Sequence, residues 1–283
     1  MKAELLVSTE SLAAHLGDPD WIFFDTRHDL AWPDKGRQAW QAAHIPGALY
    51  FDIDEVADKK NSLPHMLPGT VQFASQVKKM GIGDGLRIVV YDSEGLYSAA
   101  RVWWMFRSMG HNDVAVLNGG LKKWKAEGRA VTDEPTLART PRHFTPRFNG
   151  ALVRDRDDVK ALIGNSRVQI VDARAANRWE GAVPEPRQGL RSGRIPSSKN
   201  VPFQSLLNAD GTLKDKAQLK AIFDAAGVDL ARPVVASCGS GVTAGVVAFA
   251  LAQLGNPDAA VYDGSWTEWG ADHALPIETG KAG

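Results

Sequence analysis

This chain repeats itself, and that fact constrains its fold more than any other. Phe24-Asp25-Thr26-Arg27 returns as Val171-Asp172-Ala173-Arg174, 147 residues later. His44-Ile45-Pro46-Gly47-Ala48 returns as Arg194-Ile195-Pro196-Ser197-Ser198, each leading into an apolar stretch, Leu49-Tyr50-Phe51 or Val201-Pro202-Phe203. Leu117-Asn118-Gly119-Gly120 with Trp124 returns as Tyr262-Asp263-Gly264-Ser265 with Trp269, at an offset of 145. A near-constant offset across ordered landmarks means that one domain has been duplicated. The length of 283 residues agrees, since it suits two cores of about 100–150 residues each.

Within each half, short β-rich runs alternate with helical patterns. Ile22-Phe23-Phe24, Ile88 to Tyr91, Val114 to Leu117, Val168 to Val171, Pro233 to Ala236 and Ala259 to Tyr262 read as buried strands of parallel sheets. Val71 to Lys79, Tyr97 to Met109, Lys216 to Ala226 and Thr243 to Leu254 read as helices. Alternation of this kind predicts an α/β fold with helices covering both faces of each parallel sheet. The stretch from Thr132 to Asn149 carries Pro135, Pro141 and Pro146 and no periodicity, which predicts a linker over 132–149 between domains at 1–131 and 150–283.

Lys plus Arg number 33 and Asp plus Glu number 33, so no bulk charge draws the chain to nucleic acid or an anionic membrane. Small molecules or other proteins are the expected partners. The stretch Met1 to Glu10 has no apolar signal segment, and no later run approaches the ~18 apolar residues of a membrane span, so a soluble cytoplasmic protein is expected. Cys238 is the single cysteine. It cannot form an internal disulfide, and metal sites built on thiolates need several, so no metal is expected.

Cys238 follows the run Val234-Val235-Ala236-Ser237 and opens Cys238-Gly239-Ser240-Gly241-Val242-Thr243, after which Ala244 to Leu251 continues as a helix. The thiol therefore sits at the carboxyl end of a strand, where open α/β sheets place their sites. Gly239 and Gly241 let the backbone turn its N–H groups inward, and the helix that follows adds the positive end of its dipole. A thiolate is the anion such a nest would stabilise, and a thiolate is a nucleophile. A lone cysteine can also be a small buried hydrophobe, but glycines on both sides of a strand-to-helix turn have little use in packing alone. The matching stretch of the first half, Asp92-Ser93-Glu94-Gly95-Leu96-Tyr97-Ser98, keeps Gly95 opposite Gly241 and has Asp92 in place of Cys238. It has no nucleophile.

A duplicated α/β domain with Asp in one loop and Cys-Gly-Ser-Gly-Val-Thr in the other resembles the tandem rhodanese-domain sulfurtransferases. The resemblance extends over nearly the whole chain, through Phe51-Asp52-Ile53-Asp54, His65-Met66-Leu67-Pro68-Gly69, Arg101 to Arg107, Pro184-Glu185-Pro186-Arg187 and Tyr262 to Trp266. It implies two tandem rhodanese-like domains, the first inactive and the second catalytic. Thiosulfate-using members carry Arg and Lys after the cysteine, whereas mercaptopyruvate-using members carry Gly and Ser, which Gly239 and Ser240 match. An uncharged loop is poorly suited to a dianionic donor, while a monocarboxylate can be held from elsewhere.

By the same resemblance Arg178 and Arg187 grip the donor's carboxylate and keto group, a task that suits guanidinium forks. Gly239, Gly241, Val242 and Thr243 line the donor site, and Asp54, His65 and Ser240 match a charge-relay set for proton movement. Hydrogen bonding at a domain interface is the alternative role for Asp54 and His65. Pro64 stands where mammalian-type members have Asp, which alters that loop. His44, with Arg194 as its counterpart, reads as a frame residue, and Trp103, Trp104, Trp124, Trp266 and Trp269 as core aromatics. The implied chemistry takes sulfur from a small-molecule donor, holds it as a Cys238 persulfide, and passes it to thioredoxin, another small thiol or cyanide, with no cofactor. A thiosulfate:cyanide sulfurtransferase and a non-catalytic rhodanese-like binding module are the alternatives. A cysteine-dependent phosphatase would need arginine six residues after the cysteine, where this chain has Ala244.

Overall fold

Each half of the chain builds a five-stranded sheet in which every neighbouring pair is parallel, as the near-continuous apolar runs require. The computed structural model describes residues 4–29, 32–137 and 139–281, so that Met1, Lys2 and Ala3 of the N-terminal stretch and Ala138 of the expected linker lie outside the described residues. The first sheet contains β1 (Leu6–Val7), β2 (Trp21–Asp25), β3 (Leu49–Tyr50), β4 (Arg87–Tyr91) and β5 (Val114–Leu117) in the order β1-β5-β4-β2-β3. The second contains β6 (Val153–Arg154), β7 (Gln169–Asp172), β8 (Lys199–Asn200), β9 (Val234–Ser237) and β10 (Ala260–Tyr262) in the order β6-β10-β9-β7-β8. The two orders are the same, strand for strand. Helices flank both sheets and cover their apolar faces.

Six of the ten strands fall where apolar runs predict them, within a residue or two at each end. The other four, β1, β3, β6 and β8, are two-residue edge strands. Two residues carry no period, and half-buried Lys199 and Asn200 carry no apolar signal either. The predicted helices form as Thr70–Lys79, Ser98–Ser108, Lys216–Ala225 and Ala244–Gln253. The last of these is buried along its whole length from Ala244 to Ala252, which is why its composition is apolar all round.

The molecule divides into two compact units that are not sequential: unit 1 is 1–60, 67–149 and 207–213, and unit 2 is 61–66, 150–206 and 214–283. In unit 1 the core gathers Phe23, Ile45, Val89, Tyr91, Leu117 and Trp124 among others. In unit 2 the counterparts Ile195, Val235, Tyr262 and Trp269 are joined by Trp266. All five tryptophans read as core residues are buried. The frame is duplicated in its ion pairs as well. Arg27 grips Asp25 in unit 1 with its Nη2 donating at 2.7 Å, and Arg174 grips Asp172 in unit 2 at 2.8 Å.

Residues 132–149 do not stand free as a linker. Thr132 and His44 exchange both backbone hydrogen bonds, His143 O accepts from Asp84 N, and Arg147 N and Asn149 N donate to Met109 O and Ser108 O. Phe144 is buried beneath this strap. The segment 207–213 is held to unit 1 by Lys122 Nζ donating to Ala209 O and Leu213 N donating to Asn118 Oδ1. A Cβ placed at Gly95 would lie 1.9 Å from Gly211 O, so only glycine fits there.

Candidate active site

Cys238 stands one residue past β9, which lies between β10 and β7 in the interior of its sheet. Register fixes it from both sides. Ser237 pairs with Asp172, Ala173 N donates to Ser237 O, Trp266 N donates to Cys238 O and Thr267 N donates to Gly239 O at 2.8 Å. The residue is 1% exposed and its thiol is free. Gly241 has φ of +79°, the left-handed backbone that turns the loop toward helix Ala244–Gln253. Ser240 and Val242 are buried in the same loop.

The first-half loop shows what this backbone does. The Asp92 carboxylate accepts four main-chain N–H bonds: Oδ1 from Glu94 N at 2.9 Å and Gly95 N at 2.8 Å, Oδ2 from Tyr97 N at 2.8 Å and Ala99 N at 2.9 Å. Asp92 is buried, and burial raises its carboxyl above the ordinary range against the pull of those donors. In the duplicated frame the matching positions are Ser240, Gly241, Thr243 and Gly245, in the loop that Cys238 opens, although Gly245 N there donates to Val242 O at 3.1 Å. Unit 1 thus shows this frame closing around a carboxyl group.

Two arginines approach the Cys238 loop by different routes. Arg178, on the short helix Ala176–Trp179, donates from Nε and Nη2 to both oxygens of Glu185 at 3.1 and 2.6 Å. A Cβ built on Gly239 would lie 3.2 Å from Arg178 Nη2, so the guanidinium rests against the loop. Glu185 is shared with Arg174 at 3.0 Å, and its side chain is 1% exposed. Arg174 in turn lies over the Trp266 ring, 4.2 Å from its centre. Arg187 Nη1 donates to Thr267 Oγ1 at 2.9 Å, and Thr267 Oγ1 donates to Gly239 O at 2.7 Å. Arg187 Nη2 reaches His65 Nε2 at 3.4 Å. Among the described residues no carboxylate pairs with Arg187.

Cys238, Gly239, Ser240, Gly241, Val242, Thr243, Arg178, Arg187 and His65 thus all belong to unit 2, His65 through the segment 61–66. His65 is buried with φ of +62°, an uncommon backbone for a residue other than glycine. Asp54 belongs to unit 1, in the short helix Ile53–Val56, with its carboxylate 3.9 Å from His28 Nδ1. His44 is a frame residue, its Nδ1 on Trp40 O at 2.7 Å.

Glu185, Thr267 and Ser265 are participants that the residue types alone did not single out. Ser265 Oγ accepts from Cys238 N at 3.1 Å and stands 4.0 Å from Cys238 Sγ. Its signal lay in the duplication, where Gly119-Gly120 becomes Gly264-Ser265.

A family model described as the rhodanese-like domain matches residues 8–127 and again 155–272. The chain is 40% identical to the 3-mercaptopyruvate sulfurtransferase of Escherichia coli K12, over 99% of this chain and 100% of that one. It is 41% identical to the human 3-mercaptopyruvate sulfurtransferase, covering 85% of this chain and 83% of that one. It is also 42% identical to the thiosulfate sulfurtransferase of Bos taurus, covering 90% and 89%. The crystal structure of SseA from Escherichia coli, described as a 3-mercaptopyruvate sulfotransferase, superposes with a TM-score of 0.84 at 38% identity over 93% of this chain and 99% of that one.

Proposed function

Because this chain belongs to the rhodanese family, as a sulfurtransferase of two tandem domains, we propose that it takes sulfur from 3-mercaptopyruvate through a persulfide on Cys238. The Cys238 thiolate attacks the donor's sulfur, an S–S bond forms, and the C–S bond breaks with its electron pair going to C3. That pair is the enolate of pyruvate, which takes one proton and leaves. An acceptor thiolate then attacks the outer sulfur and carries it off, and Cys238 returns as thiolate. Thioredoxin, a small thiol or cyanide serves as acceptor, and the reaction proceeds in the cytoplasm.

The Asp92 nest is the observation that carries this proposal. A loop of the same frame directs four N–H groups at a buried carboxyl, and Cys238 opens its copy with a sulfur in that place. Preorganised donors of this kind favour charge on sulfur at both steps and need no reorganisation when the charge appears.

Donor choice needs a residue argument, because relatives named for either donor are about equally similar to this chain. Gly239 and Ser240 add no charge to the loop, and Arg178 occupies the space into which a side chain at 239 would grow. Arg187, held by a hydroxyl and an imidazole, keeps its charge for an external anion, which suits one carboxylate better than a dianion needing a cation at the cysteine. Comparing kcat/KM for 3-mercaptopyruvate and thiosulfate with a common acceptor tests the assignment. A clear preference for 3-mercaptopyruvate is expected; a preference for thiosulfate overturns it.

A further inference from the structure

We propose that Ser265 is a switching hydrogen-bond donor to the Cys238 sulfur, turning its one hydroxyl proton from Tyr262 O to Sγ when the sulfur becomes anionic. Three distances define the device. Ser265 Oγ donates to Tyr262 O at 2.8 Å, accepts from Cys238 N at 3.1 Å, and has Cys238 Sγ at 4.0 Å. The hydroxyl is buried and has a single proton with two acceptors in reach. A neutral thiol is the weaker acceptor, so the carbonyl holds the proton. An anionic sulfur is the stronger one, because hydrogen bonds to ionised groups exceed those to neutral carbonyls. The bond from Cys238 N anchors Oγ in both states, so only the O–H rotates.

The backbone supplies an independent observation. Ser265 has φ of +48°, and its counterpart in unit 1 is Gly120 with φ of +53°. The frame therefore demands a left-handed residue here, and unit 1 meets the demand with glycine. Unit 2 places a Cβ and a hydroxyl in that disfavoured conformation, in the half that holds the thiol. Strain of this kind, kept where a relaxed alternative exists in the same chain, points to a role for the side chain.

The inference rests on Cys238 as the nucleophile proposed above, but its test uses no sulfur donor. The pH profile of Cys238 alkylation by iodoacetamide is measured for the full chain, for Ser265→Ala and for Ser265→Gly. The other charged groups by the loop, Arg178 with its partner Glu185 and Arg187 with its partner His65, are common to all three proteins. Both variants are expected to move the profile to higher pH by about one unit, with alkylation at neutral pH about tenfold slower. Gly120 shows that glycine fits this backbone, so Ser265→Gly keeps the test available if Ser265→Ala does not fold. An unchanged profile in Ser265→Gly overturns the proposal, as does a shift in Ser265→Ala alone, which would trace to the Cβ and not to the hydroxyl. Either result leaves sulfur transfer by Cys238 standing, since that is read separately from the mass of the donor-treated protein.

Discussion

Arg178 and Arg187 look alike in sequence and differ in what already holds them. Arg178 is bound through two nitrogens to buried Glu185, whereas among the described residues the Arg187 guanidinium meets Thr267 and His65 and no carboxylate. Arg187→Gln is therefore expected to raise KM for a carboxylate donor by roughly 10- to 100-fold, the loss of charge-assisted bonds, with a smaller change in kcat. Arg178→Gln removes one of two cations from a buried carboxylate, so the melting temperature should drop while KM rises. Steady-state kinetics and melts on the two variants distinguish these outcomes. Asp92 belongs to the same scale. Asp92→Ala leaves four N–H groups in a buried loop without their acceptor and is expected to cost about 2–4 kcal/mol in denaturant unfolding. Turnover per folded molecule should be retained, because Cys238 stands in the other unit. Cys238 stands out by residue type because glycines beside a cysteine carry information. Ser265 differs from its counterpart Gly120 already in the sequence, but the exchange gains its meaning from the φ of +48° that the structure shows.

Among the elements, short terminal ties decide how helices are fixed. Glu127, at the end of helix Gly120–Ala126, accepts from Thr9 Oγ1 at 2.6 Å, from Arg129 Nε at 2.6 Å and from Lys123 Nζ at 2.7 Å. The hydrogen bond from Lys123, then those from Thr9 and Arg129, lower its carboxyl from 4.5 to about 2. A carboxyl with a depressed value stabilises the fold above its unfolded value and loses that contribution as pH falls through the folded one. Stability should therefore decline between pH 4.5 and about 2, and Glu127→Gln should flatten this part of the curve. The group is solvent-facing, so added salt should weaken the effect. The central strands and long helices were legible because apolar runs of four or more residues have a period and a length. The two-residue strands at the sheet edges have neither, and they exist because a parallel neighbour supplies their partners.

At the scale of the molecule, the duplication announces two similar folds but not the membership of each unit. The segments 61–66 and 207–213 are irregular in sequence, and only their contacts assign them, His65 to Arg187 and Gly211 to Gly95. A fragment ending at Asn149 lacks 207–213, which leaves Asn118 Oδ1 and the surface beside Gly95 uncovered. That fragment should melt below the intact chain, and equal melting temperatures would contradict the assignment of 207–213 to unit 1. The same duplication gives one loop a carboxylate and the other the molecule's single thiol, so chemistry can reside in one place. Intact mass spectrometry after mixing with 3-mercaptopyruvate tests that claim most directly. One sulfur atom should be added to the wild-type chain, removed again by an acceptor thiol, and absent from Cys238→Ser; no adduct on the wild type, or an adduct that survives the substitution, would contradict it.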